Sequence, residues 1–254
     1  MSSGMSRRKM LTTGIGAAAG VTGLAVADRI AGRYGLIPPD SGGIFGPGET
    51  LTYAAQRVLM ARHPLAREFG RSDVSKIVPV SGPAPQTEAY DKFKFSEFAD
   101  WRIAVDGLVA RPTVLSLADL LRMPPATQIT HQQCEEGWSF IAEWTGVRLS
   151  TVLNQVGVSA NAKYVFYFSI QDNWFDSLDM PEAWHPQTML TYALNGEPLP
   201  PDHGAPVRMK VPRQLGYKSV KFLTRITVTD SAKGIGDGTG SGNPPTGYSW
   251  YAGI

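Results

Sequence analysis

The stretch "HQQCEEGWSF", residues 131–140, holds Cys134, the single cysteine among 254 residues. A lone thiol closes no disulfide within its own chain, which leaves three roles: nucleophile, metal ligand or small buried hydrophobe. A buried structural cysteine belongs in an apolar run. Cys134 instead stands among Gln132, Gln133, Glu135, Glu136 and Gly137, with bulky Trp138 next. Neighbouring carboxylates raise a thiol's pKa, so a thiolate here needs a positive partner. A metal ion meets that need by deprotonating the thiol outright.

A second constellation lies in "LNGEPLPPDHGAPVRMKVPRQLGYKSVKFL", residues 194–223. Proline turns and Gly196, Gly204 and Gly216 gather His203, Arg208, Lys210, Arg213, Lys218 and Lys221 into a short segment. Turns free backbone N–H groups, arginine offers a forked donor and lysine a point charge, a combination suited to a phosphate group. The plain alternative is a solvated basic hairpin.

Several other chemistries find no support. His63, His131, His185 and His203 show no paired metal-ligand spacing, and one cysteine makes no zinc set. "GIGAAAG" and "GIGDGTG" lack the strand before and helix after that a dinucleotide site requires. No serine motif resembles a nucleophile elbow. The net charge of +2 owes three cations, Arg7, Arg8 and Lys9, to residues 1–27, which carry no acid; without them it becomes −1. No nucleic-acid partner is expected, since no Lys/Arg run with interleaved aromatics is present.

The elements that must position these groups begin after a distinct leader. Residues 1–27 join a basic start to an uncharged Gly/Ala-rich stretch, and Arg7-Arg8 resembles a twin-arginine export signal. Ala25-Val26-Ala27 offers a cleavage site, and Leu11 to Ala27 falls short of the roughly 20 residues of a membrane-spanning helix. A retained tether is the alternative. The location expected is periplasmic or exported, and because the twin-arginine route moves folded proteins, a cofactor inserted before export fits it. Residues 28–75 read as an arm with a helix over "TLTYAAQRVLMARHP", capped by Thr50 and stopped by Pro64. Residues 76–254 form the main domain, opening with a Pro/Gly loop over 78–93 long enough to serve a ligand.

Within that domain, "WRIAVDGLV" alternates as a strand, and "SLADLLRMPP" starts a helix at Ser116. The stretch after Cys134 reads as aromatic turns, and "STVLNQVG" as a helix capped by Ser150 and ended by Gly157. "KYVFYFSI" is apolar on both faces, hence a buried strand. "MPEAWHPQTMLTYALNG" is broken at Pro186 and reads as helical after it, "APVRMKV" and "TRITVTD" read as strands, and "YSWYAGI" is aromatic enough to dock on the body. Strands and short helices mix without βαβ spacing, which predicts an α+β fold with a mixed sheet.

Together, the cysteine loop "CEEGWS" with "W-x-G-V-x-L" after it, Asn195–Arg208, and Gly216–Lys221 resemble the sulfite oxidase family of molybdopterin-dependent oxidoreductases, particularly its exported bacterial members. The resemblance covers residues 78–229 and implies a sulfite-oxidase-type molybdopterin-binding fold with a molybdenum-molybdopterin cofactor. It implies Cys134 as the catalytic metal ligand, and Ser81, Gly82, Ser169, His203, Arg208, Ser219, Val220 and Lys221 as pterin contacts, with Ser81 standing where the family pattern has Asn. Sulfite oxidases carry an Arg shortly after the metal cysteine; here Trp138, Ser139 and Phe140 follow. That departure favours reduction of a sulfoxide or similar oxo substrate over sulfite oxidation with electrons passed to a cytochrome. A non-catalytic pterin-binding protein is the third reading. Trp138, Trp144 and Trp174 are candidates for an aromatic substrate wall. With no C-x-x-C-H haem motif in this chain, electrons are expected from a separate partner, a membrane haem protein or cytochrome c, acting with a small-molecule substrate.

Overall fold

The computed structural model describes residues 47–60, 65–242 and 248–254. The expected leader, the first part of the arm, and Pro64 as helix stop lie outside them. Among the described residues no helix is long and apolar enough to cross a membrane.

The arm helix α1 spans Pro47–Met60, so Thr50 lies inside it and caps nothing. Its face carrying Tyr53 and Arg57 packs on the C-terminal segment, where Trp250 and Tyr251 are buried against Tyr53. The expected docking of the aromatic tail is therefore the seat of the arm as well. After α2 (Glu88–Phe95) come β1 (Arg102–Gly107), β2 (Thr113–Ser116) and α3 (Leu117–Arg122). Ser116 caps α3 as its sequence suggests: its hydroxyl accepts from the Asp119 N–H while the Asp119 carboxylate accepts from the Ser116 N–H.

Two five-stranded sheets carry the rest. β5 (Tyr164–Ser169), β6 (Phe175–Asp179) and β10 (Leu223–Thr229) join the first, in the order β2-β1-β10-β5-β6, with β1 and β10 parallel. β3 (Ala126–Gln133), β4 (Ser139–Arg148), β7 (Met189–Leu194) and β8 (Glu197–Pro198) form the second, and β9 (Arg208–Lys210) pairs with β7. The short helices α4 (Leu149–Val156) and α5 (Met180–Ala183) complete the α+β architecture that the sequence predicts.

Three local expectations are corrected. The stretch after Cys134 is not a run of turns: Ser139 onward forms the ten-residue β4, central in its sheet. The segment after Pro186 is not helical but becomes β7, because Thr191, Leu190 and Met189 are drawn into pairing with both β4 and β9. Ser150 lies within α4, whose N-cap is Arg148, while Gly157 does end it in the left-handed conformation.

The main core lies between the sheets and α3 and α4. Trp101, Ile103, Val105, Leu153, Val165, Val207, Met209 and Ile226 are buried in one cluster, and the Trp101 indole donates to the Leu223 carbonyl at 2.9 Å. Val207 and Met209 bury here while Arg208 between them faces the other way. The alternation of β9 thereby anchors the strand in oil and turns its cation toward the site.

Candidate functional site

A cavity of roughly 540 Å³ opens where the β3–β4 hairpin meets the 79–86 loop, the 200–204 turn and the 216–221 segment. Cys134 lies at the hairpin tip: its N–H donates to the Trp138 carbonyl at 2.9 Å, and the Gly137 N–H donates back to the Cys134 carbonyl at 3.1 Å. Gly137 takes a positive φ of 93°, which closes the turn. Burial pushes the thiol pKa up to about 11; a backbone hydrogen bond at Glu136 opposes this, and the Glu135 and Glu136 carboxylates add to the rise. Sγ lies 3.6 Å from a Glu135 carboxylate oxygen. The thiol as built by this chain stays protonated, so a thiolate requires a cation brought in from outside.

The floor supplies the opposite charge. Arg208 is buried and donates to the carbonyls of His203 at 3.0 Å and Ser219 at 2.8 Å, while its guanidinium lies over the Trp144 ring. Burial lowers its pKa to about 10. Lys221 donates to the carbonyls of Ser81, Gly82 and Asp202 at 2.6, 2.9 and 2.8 Å, tying the 79–86 loop to the 200–204 turn. Burial first, then Arg208, brings Lys221 down to about 8, and burial with Arg208 and Lys221 lowers His203. A concentration of donors that disfavours its own charge is stabilised by an anion.

Two glycines keep this floor open. A methyl group on Gly204, at φ 107°, would lie 2.9 Å from the Lys221 side chain and 3.2 Å from that of Arg208. One on Gly216 would lie 2.9 Å from both the Gln132 amide nitrogen and the Gln133 carbonyl, and 3.4 Å from the Cys134 Cα. The basic segment and the cysteine hairpin thus meet at bare backbone.

Cys134, Ser81, Gly82, His203, Arg208, Ser219, Val220 and Lys221 all line this cavity. Ser169 does not: its hydroxyl accepts from the Gln171 N–H, and it is Gln171, Asp172 and Trp174 beyond it that reach the wall. The expected cation cluster divides. Lys218 turns away to Asp176 at 2.5 Å, Arg213 faces Glu182 at 3.9 Å, and Lys210 is held against β3. The aromatic candidates divide too. Trp138, stacked on Phe140 with its indole N–H on Glu136 at 2.7 Å, and the part-exposed Trp174 line the cavity, whereas Trp144 is fully buried beneath it. The acidic side chains Glu135, Glu136, Asp172 and Asp202 also line the cavity, and no sequence spacing signals them as a group because only folding brings 135–136, 172 and 202 together.

Residues 90–234 match the model of the oxidoreductase molybdopterin-binding domain. The chain belongs to that family. A protein of Azospira oryzae named as the YedZ1 subunit of a protein-methionine-sulfoxide reductase is 35% identical over 190 residues, 73% of this chain and 70% of that protein. The catalytic subunits of protein-methionine-sulfoxide reductase from Ralstonia nicotianae and Burkholderia mallei are 35% and 34% identical, over 51% and 60% of this chain. The chain spans 44% and 47% of the length of those two relatives. The sulfane dehydrogenase SoxCD of Paracoccus pantotrophus shares the fold, with a TM-score of 0.52 at 22% identity over 68% of this chain and 52% of its own.

The chain is thus a molybdopterin-dependent oxidoreductase with the sulfite-oxidase-type fold, and the residues of the cavity fit a molybdenum-molybdopterin cofactor. A floor of Arg208, Lys221 and His203 with bare glycine backbone suits a phosphate-bearing pterin, and a single protonated thiol at the hairpin tip suits a metal that displaces its proton. Among the described residues no cluster of three or more His, Cys, Asp or Glu offers an all-protein metal site.

Proposed function

We propose that this chain is the catalytic component of an exported molybdenum enzyme that reduces a sulfoxide to its thioether. In this reading residues 1–27 are the twin-arginine signal, 28–75 the arm and 76–254 the cofactor-binding domain. Cys134 ligates the metal, and Ser81, Gly82, His203, Arg208, Ser219, Val220 and Lys221 hold the pterin and its phosphate. When bound, the cofactor supplies two-electron oxygen-atom chemistry. Overall, the sulfoxide takes up two electrons and two protons and its oxygen leaves as water. The electrons come from a separate partner, a membrane haem protein or a cytochrome c.

The observation that carries the substrate class is the distribution of charge around Cys134. Cations are confined to the floor, where Arg208 and Lys221 are already tied to carbonyls, while the wall beside the thiol presents Glu135, Glu136 and Asp172 with the faces of Trp138 and Trp174. An anion such as sulfite meets like charge there. A sulfoxide is neutral, with apolar substituents that pack on indole faces. The sulfoxide-reductase names of the relatives support the same choice.

The protein's own groups perform the remaining work. Trp138 is held flat by Phe140 at 6.1 Å between ring centres and by its bond to Glu136, so it forms a fixed plate for orienting substrate and excluding water. Molybdenum quantification joined to a substrate screen tests the proposal: reduced viologen should be reoxidised by sulfoxides and not ferricyanide reduced by sulfite. Ferricyanide-linked sulfite oxidation without sulfoxide turnover would overturn it.

A further inference from the structure

Lys210 is the cation of the 194–223 segment that neither faces the cavity nor finds a carboxylate among the described residues. It is 1% exposed, lies over the Trp144 ring, and donates to the His131 carbonyl at 2.8 Å and to the Gln132 side-chain oxygen at 2.7 Å. Burial, with Arg208 adding, drives its pKa well below that of an ordinary lysine. An amine and an ammonium both have two hydrogens to give, so these two bonds persist in either form.

Gln132 is the next-to-last residue of β3, two before Cys134, 6% exposed, and part of the cavity wall. The two ends of a carboxamide are told apart by their partners. Lys210 sets it here: its ammonium has only hydrogens to offer, and the amide oxygen faces it at 2.7 Å. The –NH2 end is thereby turned toward Gly216, on the side where a glycine methyl would come within 2.9 Å of it and 3.4 Å of the Cys134 Cα. No hydrogen bond from this nitrogen reaches any described residue, although the side chain is more than nine-tenths buried. Gln132 lines the cavity, so these donors are free to meet an acceptor brought in from outside the chain.

We infer that Gln132, locked by Lys210, is a cofactor-positioning residue whose –NH2 donates to acceptor atoms of the molybdopterin cofactor beside Cys134. Lys210 acts through Gln132 and touches nothing in the cavity itself. The inference rests on the placement of the cofactor next to Cys134 and is independent of which substrate is reduced.

The test uses the full chain produced in a cofactor-competent cell, and reads molybdenum and pterin per protein, the rate of cofactor loss on dialysis, and the visible absorption spectrum. Gln132→Leu should lose cofactor about fivefold to tenfold faster than wild type, the effect of one hydrogen bond, with a shifted spectrum. Lys210→Met should move both readouts the same way, because the freed amide can turn its oxygen to the cavity. The double variant, an apolar pair, should be no worse than Gln132→Leu alone. Gln132→Glu separates positioning from mere structure: it strengthens the contact to Lys210 yet offers the cavity an acceptor, so cofactor should be lost while the urea midpoint holds or rises. Gln132→Leu and Gln132→Glu with wild-type cofactor content, loss rate and spectrum would overturn the inference, and additive effects in the double variant would overturn the part given to Lys210. Wild-type protein devoid of molybdenum overturns the cofactor placement as well, whereas loaded wild type with equally loaded variants overturns the inference alone.

Discussion

The molecule buries positive charge in two contrasting ways on either side of the 208–221 segment. On the cavity side, Arg208, Lys210 and Lys221 are satisfied by neutral oxygens: the carbonyls of His203, Ser219, His131, Ser81, Gly82 and Asp202, and the Gln132 amide. On the far side, Lys218 meets Asp176, Arg57 meets Asp179, and Arg213 approaches Glu182. A carbonyl satisfies a donor's geometry and leaves its charge uncompensated; a carboxylate removes both. The floor of the cavity therefore keeps cations that an incoming anion can meet, and the far side spends its charge on holding the arm, β6 and the C-terminal segment together.

The sharpest way to break this contrast is to remove the far-side lysine. Lys218 and Asp176 are both fully buried, with Nζ 2.5 Å from Oδ1 and 3.0 Å from the Ser177 carbonyl. Lys218→Met leaves Asp176 in a dry site without this cation, with the Ser177 N–H and the Ser241 hydroxyl among the donors it keeps. The expected loss is about 3–5 kcal/mol, read from urea unfolding of cofactor-free protein. Arg208→Met, which strands no carboxylate, should cost far less in the same measurement. Equal losses at the two sites would erase the distinction.

The contrast also marks how far the sequence could be read. The basic floor was legible because Asn195 to Lys221 is one continuous segment whose turns and cations suit an anion and match a family pattern. Which cations reach the cavity was not legible. That is decided by Asp176 on β6 and Glu182 on α5, roughly thirty to forty residues away in sequence, which capture Lys218 and Arg213. The same limit hid β3. Its inward positions are Gln128, Thr130 and Gln132, polar groups that show no hydrophobic period, and the burial of the two glutamines makes sense only when Gln187 and Lys210 arrive as partners. β3 was concealed for this reason, while β9, within "APVRMKV", and β5, apolar on both faces, were plain.

A smaller effect tests the far side by pH. Glu182 is buried near Arg57 at 3.7 Å and Arg213 at 3.9 Å, with Asp179 and Lys218 also acting on it, yet burial prevails and raises its pKa from 4.5 to about 7. A carboxyl whose folded pKa is raised holds its proton more tightly when folded. Its contribution is full below pH 4.5 and is lost as the pH rises through about 7. Wild-type stability should therefore fall relative to Glu182→Gln by up to about 1.4 kcal/mol per pH unit across that window. Urea midpoints at pH 5, 6, 7 and 8 give the difference curve, and parallel curves would show that the arginines, not burial, control Glu182.

The smallest effect sharpens the cavity side alone. If Arg208 and Lys221 keep uncompensated charge, a simple oxyanion should bind cofactor-free protein at the floor and raise its stability by mass action, by about 1.4 kcal/mol at ten times its dissociation constant. Inorganic phosphate at constant ionic strength is the probe, because general screening then stays fixed while specific binding does not. Arg208→Met should abolish the increment, since it removes the forked donor that faces the cavity between His203 and Ser219. Arg213→Met should preserve it, because Arg213 already faces the Glu182 carboxylate. An increment lost equally in both variants would mean that phosphate reads the summed charge of the segment. An increment lost only in the first would mean that the fold has reserved one group of cations by denying it carboxylates.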